Sequence, residues 1–266
     1  MRWLFYITTL SILVGLPGCD YRSSGNVWAM PGLSLPSSSL PKFTDGQSSS
    51  AKKQQFTEYL LPLVKNMNFV ILKKRELLKK AYEQYRGKES LSRSAKNFVK
   101  RLASEYKVPI DDEGSLSDNI FKQLLLRVDA IPPNLVLAQA ANESAWGTSR
   151  FARQGNNLFG QWCYQKGCGI IPNARSEDAT HEVKKFTSPA QSVVAYMRNL
   201  NTNPAYSKFR SIRHNLRQQG KKVSGRAVVK GLVNYSARGM GYVDSLTSLM
   251  NTYKDNWPDA PQVETN

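Results

Sequence analysis

The sequence predicts a mainly α-helical protein with a small β lobe, an α+β fold in which a helical extension precedes a catalytic-type core. Three observations carry this. From Lys52 onward, apolar residues recur at offsets of three and four, the period of a helix with one buried face. Between Phe159 and Phe186 that period gives way to short runs around polar turns, the pattern of brief strands. Pro132-Pro133 and Gly147 bracket a stretch of small residues. A missing N–H costs nothing in a first helical turn, and glycine takes the left-handed conformation that ends a last one.

At the N-terminus, Arg2 precedes the apolar stretch Trp3 to Val14, the layout of an export signal. The stretch is shorter than the roughly 20 residues of a spanning helix. Leu16-Pro17-Gly18-Cys19 resembles a bacterial lipobox, which implies removal of residues 1–18 and lipid on Cys19. Pro17 departs from the usual pattern, and an uncut anchor is the alternative. Asp20 resembles the inner-membrane retention signal of enteric lipoproteins. The expected location is therefore a bacterial envelope, lipid-anchored and facing the periplasm, with the inner membrane favoured. Residues 19–50 are rich in Ser, Gly and Pro. They bury too little apolar area to fold alone and predict a flexible tether, with Pro41-Lys42-Phe43 beginning to dock.

Residues 51–130 form the helical extension. Phe56, Tyr59, Leu60, Leu63, Val64 and Met67 share one face, with Pro62 expected to kink the run. A second half, Asn68 to Tyr85, has Ile71, Leu72, Leu77, Leu78, Ala81 and Tyr82 on one face and Lys73, Lys74, Arg75, Lys79 and Lys80 on the other. That basic face is either solvated or a contact for phospholipid or glycan. Ser-rich starts predict helices over 92–106 and 116–128. In the core, 131–257, the bracketed helix is followed by a loop over 150–156. Short strands lie within 159–164 and 169–186, and helices follow over 189–200, 209–219, 224–232 and 242–253. Residues 258–266 are a tail.

A formal net charge of +17 favours a polyanion or an anionic surface. No helix-turn-helix, zinc-finger or RNA-binding signature accompanies it, which argues against nucleic acid. With Cys19 taken by lipid, Cys163 and Cys168 remain. In an exported chain, so close a pair predicts a disulfide. Zinc is the alternative, poorly served because His181 and His214 are the only histidines and form no ligand pattern with the pair. Nothing calls for a metal or cofactor.

The bracketed helix carries one acid, Glu143, on the face shared by Val136, Gln139 and Ala140. Packed inward near the negative end of the helix dipole, its carboxyl is expected to hold its proton unusually well. Such a group can protonate a leaving-group oxygen.

Ala138-Gln139-Ala140-Ala141-Asn142-Glu143-Ser144-Ala145-Trp146-Gly147, followed by Asn157-Leu158-Phe159-Gly160, resembles the signature of the glucosaminidases of glycoside hydrolase family 73. These enzymes cut the glycan strands of bacterial peptidoglycan and have a lysozyme-like fold. The resemblance runs from Ile131 to Trp257, and more weakly from Leu40. It implies an endo-β-N-acetylglucosaminidase with Glu143 as general acid. It also implies a second carboxylate in the strand lobe, for which Glu177, Asp178 and Glu182 are candidates. This loop departs in length from the family pattern, and the substrate's own acetamido group is the alternative nucleophile. Tyr235 is expected beside Glu143, orienting the acid or binding the acetamide. Asn157, Phe159 and Gly160 would shape the cleft floor, Gln161, Trp162 and Tyr242 would contact the glycan, and Trp146 would be core. The implied partners are peptidoglycan glycan strands and, through lipid, the membrane. A muramidase or lytic transglycosylase needs the same acid. A non-catalytic wall-binding lipoprotein and a basic membrane-tethered adaptor are the other readings.

Overall fold

The computed structural model describes residues 39–44, 46–88, 90–111, 114–173, 175 and 179–261. The export signal, Cys19, Asp20, most of the tether, Glu177 and Asp178 lie outside the described residues.

Helix α1 (Ser49–Arg86) starts at Ser48, whose hydroxyl accepts the Ala51 N–H. It is one helix of 38 residues with Pro62 inside it, where two halves were expected. Leu60, Leu63 and Val64 are buried around the proline, and this packing offsets the lost backbone bond. The basic face is also divided differently from the expectation. Lys74 reaches inward to Glu105 at 2.8 Å and Arg75 is buried, while Lys73 and Lys80 pair with exposed Glu76. Helices α2 (Arg93–Glu105) and α3 (Asp118–Arg127) begin at the serines Ser92 and Ser117, each accepting a first-turn N–H.

Helix α4 (Pro133–Ser144) has Pro132 as its N-cap and Pro133 in its first turn. It is buried on nearly every side from Pro133 to Ala141, not on one face only, because α1 and the later helices Gly225–Val228 and Met240–Thr252 all pack on it. Helix α5 (Arg150–Gly155) occupies the segment expected to be a loop. At six residues it is too short to show a period, and its cap, Ser149 accepting the Ala152 N–H, defines it. Strands β1 (Trp162–Cys163), β2 (Gly169–Ile170) and β3 (Glu182–Lys184) form an antiparallel sheet in the order β1-β3-β2. Trp162 and Ile170 both lie opposite Val183. Then come α6 (Pro189–Thr202), a 3-10 turn (Pro204–Tyr206), α7 (Ser207–Gln218), α8 (Gly225–Val228), a second 3-10 segment (Val229–Tyr235) and α9 (Met240–Thr252). Among the described residues no helix is long and apolar enough to cross a membrane.

Extension and core share one apolar interior, in which Phe56, Leu60, Phe98 and Phe121 join Leu135, Val136 and Leu246. The chain before α1 docks as well. Leu40 is buried, and Arg153 donates to the Pro41 carbonyl and lies over the Phe43 ring.

A polar knot sits where the extension meets α4. Asp129, 1% exposed, receives Arg217 through two bonds of 2.5 and 2.6 Å, with Arg213 and Arg75 at 3.6 and 3.7 Å. Arg75 also donates to the Leu125 and Val128 carbonyls. Asn68 of α1 holds both backbone groups of Ile131. Burial opposes ionisation of Asp129, but the charges of Arg213 and Arg75 and the bond from Arg217 outweigh it and hold the carboxyl below its usual range. A depressed carboxyl contributes stability that is present above about pH 4, the unfolded value, and is lost as pH falls through the folded value. Asp129→Asn should therefore cost about 3–5 kcal/mol near neutral pH, because it leaves buried arginines uncompensated. Urea unfolding below pH 4 should show the wild type approaching the variant.

Candidate active site

Glu143 stands one residue before the end of α4. The helix exit is not at Gly147, as the sequence suggested, but at Ala145. Ala145, Trp146 and Gly147 are successively left-handed, with φ of 49°, 59° and 77°. Ser144 makes this possible: its hydroxyl donates to the Ala140 carbonyl and accepts the Gly147 N–H at 2.8 Å. A Cβ on Gly147, at φ of 77°, would meet the Phe56 ring at 3.1 Å, so a side chain there would be strained and would press the ring aside. The turn carries Trp146 into a cluster with Phe56, Tyr253 and Trp257, the core role expected of it.

Behind Glu143 runs a buried chain of hydrogen bonds. The Tyr196 hydroxyl donates to Gln139 Oε1, and Gln139 Nε2 donates to the Tyr242 hydroxyl at 2.9 Å. The Tyr242 hydroxyl in turn hydrogen-bonds the Glu143 carboxylate. Gln139 lies one helical turn before Glu143, which aligns the two side chains. Burial pushes the Glu143 carboxyl above its ordinary range, and Tyr242, Asn142 and the charge of Arg238 offset only part of that. Tyr242, expected among the glycan contacts, is 1% exposed. It is a buried neighbour of the acid, since its hydroxyl is committed to Gln139 and Glu143.

The opposite wall is the turn after α5. Asn157 is buried and organises it: Oδ1 accepts the N–H groups of Phe159 and Gln161, and Nδ2 donates to the Gln161 and Lys184 carbonyls. Phe159 stacks on Tyr196 at 3.9 Å. Gly160, with φ of 64°, brings bare backbone against the acid, and a Cβ there would lie 3.7 Å from Glu143 Oε2. Tyr235 is close enough for Glu143 to bear on its ionisation. Its hydroxyl, however, donates to the Phe159 carbonyl at 3.1 Å, and its ring stacks on Tyr242. It ties the two walls together. Gln161 is half-buried, and its Oε1 meets no donor among the described residues. Trp162 is 55% exposed and stacks on His181 at 4.1 Å, presenting a flat apolar face.

Cys163 and Cys168 form a disulfide. Glu182, 4% exposed, sits beside them and accepts the N–H groups of Gly167 and Gly169 at 2.9 and 2.7 Å. Those bonds hold its carboxyl below the usual range. The two sulfurs and this carboxylate are close enough to suggest a metal trio, but sulfurs joined to each other are not thiolate ligands. Both Glu182 oxygens are engaged in closing the loop. Gly169 is obligatory there, since a Cβ would lie 2.1 Å from the Val183 carbonyl oxygen. Glu177 and Asp178, the other candidate acids, are outside the described residues. Tyr196 and Arg238 were not singled out from the sequence. Tyr196 sits at an ordinary core position of α6, and Arg238 in a Gly-rich turn with no motif around it.

Two measurements check this site. The Tyr242 bond favours the charged carboxylate, so Tyr242→Phe should move the titration of Glu143, followed by carbon-13 NMR, to higher pH. Glu182→Gln should leave one of the two backbone amides facing an NH2 group and without an acceptor. Amide exchange at Gly167 or Gly169 should accelerate, with global unfolding changed by no more than about 1–3 kcal/mol.

The glucosaminidase family model, described as mannosyl-glycoprotein endo-beta-N-acetylglucosaminidase, matches residues 119–255. Protein bax of Escherichia coli (strain K12) is 36% identical over 223 residues, covering 84% of this chain and 76% of that protein. No solved structure matches.

Proposed function

Because the chain belongs to the glucosaminidase family, of the Bax type, and is a glycosidase, we propose that it hydrolyses peptidoglycan glycan strands after N-acetylglucosamine, with Glu143 as general acid. The observation that carries this reading is the environment of Glu143. Its carboxyl is kept proton-rich by burial and aimed by Tyr242 and Gln139 at the backbone of Gly160. A glycosidic oxygen leaves only if it is protonated as positive charge builds on the ring, and a positioned carboxyl supplies that proton. Gly160 leaves room for a sugar to approach the acid, and the exposed Trp162 face suits the apolar face of a pyranose. Export through the N-terminal segment and lipid on Cys19 would hold the enzyme at the envelope membrane, beside its substrate.

The engagement of both Glu182 oxygens by Gly167 and Gly169 favours chemistry that needs one protein carboxylate. Attack by the substrate acetamido group is one such route. A transglycosylase step, in which the muramic hydroxyl replaces water, is the second reading. Glu177 and Asp178 are the remaining candidates for a water-activating base.

Digestion of purified peptidoglycan by the chain lacking residues 1–19, with products identified by mass spectrometry, tests the reading. Reducing N-acetylglucosamine ends are expected, and anhydromuramic ends would move the assignment to transglycosylase. Glu143→Gln should lower the rate by at least about 100-fold at an unchanged melting temperature. Activity should fall as pH rises through the raised Glu143 value, because the acid must carry its proton.

A further inference from the structure

The loop closed by the Cys163–Cys168 disulfide is held by several further ties. Glu182 accepts the N–H groups of Gly167 and Gly169, the Cys168 N–H donates to the Gln165 carbonyl at 3.0 Å, and the Lys185 N–H donates to the Cys168 carbonyl at 3.2 Å. The residues that this firm frame carries nevertheless face outward. Tyr164, Gln165, Lys166 and Gly167 are all exposed. Tyr164 is 71% exposed, the most of any large apolar side chain among the described residues. The chemistry proposed above gives it no role.

The chain connects Tyr164 to the acid. It leaves Gly160, whose backbone faces Glu143 Oε2, and passes Trp162 of β1 on its way to Tyr164. His181 covers one face of the Trp162 ring, at 4.1 Å and an interplanar angle of 19°, and the residue remains 55% exposed. Side chains alternate along an extended strand. Cys163 turns to its disulfide, so Trp162 and Tyr164 fall on the other side, roughly 7 Å apart along the chain. The stretch from Gly160 to Tyr164 spans at most about 14 Å. Tyr164 is therefore close enough to meet a later ring of a strand whose cleaved bond lies at Glu143.

We propose that the disulfide loop is an outer glycan-binding surface, on which Tyr164, in line with Trp162, grips the strand beyond the cleaved bond and makes the enzyme prefer long strands to short ones. The inference rests on the glycosidase reading and adds a length preference to it. A linear polymer with one ring at the acid must pass out over a wall of the cleft, and this wall offers two flat apolar faces in succession. Pyranose rings present apolar faces that match them. A ring mounted on a rigid loop binds with little further ordering, which gives the disulfide and the Glu182 clamp a purpose. A lipid surface would also take exposed Tyr and Trp beside Lys166, but it gives no reason for the second ring to follow Trp162 away from the acid.

The test uses linear oligomers of β-1,4-linked N-acetylglucosamine, which carry no charge, in a short form that fills only the cleft at Glu143 and a long form that continues past it. Binding is measured by calorimetry on the Glu143→Gln protein, so that nothing is cleaved. The long form should bind roughly three- to tenfold more tightly than the short one, and the preference should persist at high salt. Adding Tyr164→Ala should bring the ratio of the two affinities close to one at an unchanged melting temperature. Tyr164→Phe, which keeps the ring, should retain the ratio. Equal affinity for the two lengths would overturn the proposal. So would a ratio that survives Tyr164→Ala, including the case in which that variant loses only its binding to phosphatidylglycerol vesicles. Digestion of length-fractionated peptidoglycan strands by the wild type is read separately, and absence of cleavage at every length counts against the glycosidase reading alone.

Discussion

The Asp129 carboxylate joins the helical extension to the helix that carries the acid, and the cleft depends on that junction. Arg75 comes from α1, Arg213 and Arg217 from α7, and Asp129 itself lies four residues before the first turn of α4. Asn68 adds a second tie from α1 to Ile131. Apolar packing could stabilise such a junction as well or better, since removing charges from water is costly. What the ionic arrangement adds is direction: the bidentate Arg217 bond admits one orientation of the 128–131 segment. The rotation of α4, and so the heading of Glu143, is set there.

Asp129, Glu182 and Glu143 meet three different surroundings. Asp129 faces arginines and Glu182 faces backbone amides, and both are held ionised below the usual range. Glu143 faces a phenol, an amide and bare glycine backbone, with one exposed arginine further out, and burial prevails. The same functional group is thereby a structural anchor, a loop clamp and a proton store. Environment alone divides these roles.

Much of this was legible in the sequence where the signal was local. The serine caps at Ser92 and Ser117, the proline entry at Pro132 and Pro133, the Cys163–Cys168 pairing and the acid on the Gln139 face all follow from neighbouring residues. What the sequence concealed depends on distant partners. Pro62 does not break α1, because core packing on both sides of it outweighs a local preference. Lys74 and Arg75 turn inward because Glu105 and Asp129 arrive from elsewhere in the chain. Alternation in β3 gave Glu182 a direction but not its partners, two amides across the disulfide loop. Tyr242 carries no mark that separates a sugar contact from a buried support, and only its place behind α4 decides it.

The most direct measurement follows Glu143 and cleavage together. The titration of Glu143 by carbon-13 NMR and the alkaline limb of kcat/KM on peptidoglycan should be recorded in the wild type and in Tyr242→Phe. If Glu143 donates the proton, the limb should coincide with its titration in both proteins and move up with it in the variant. A limb that stays in place while the Glu143 titration moves would contradict the account and assign the proton to another group.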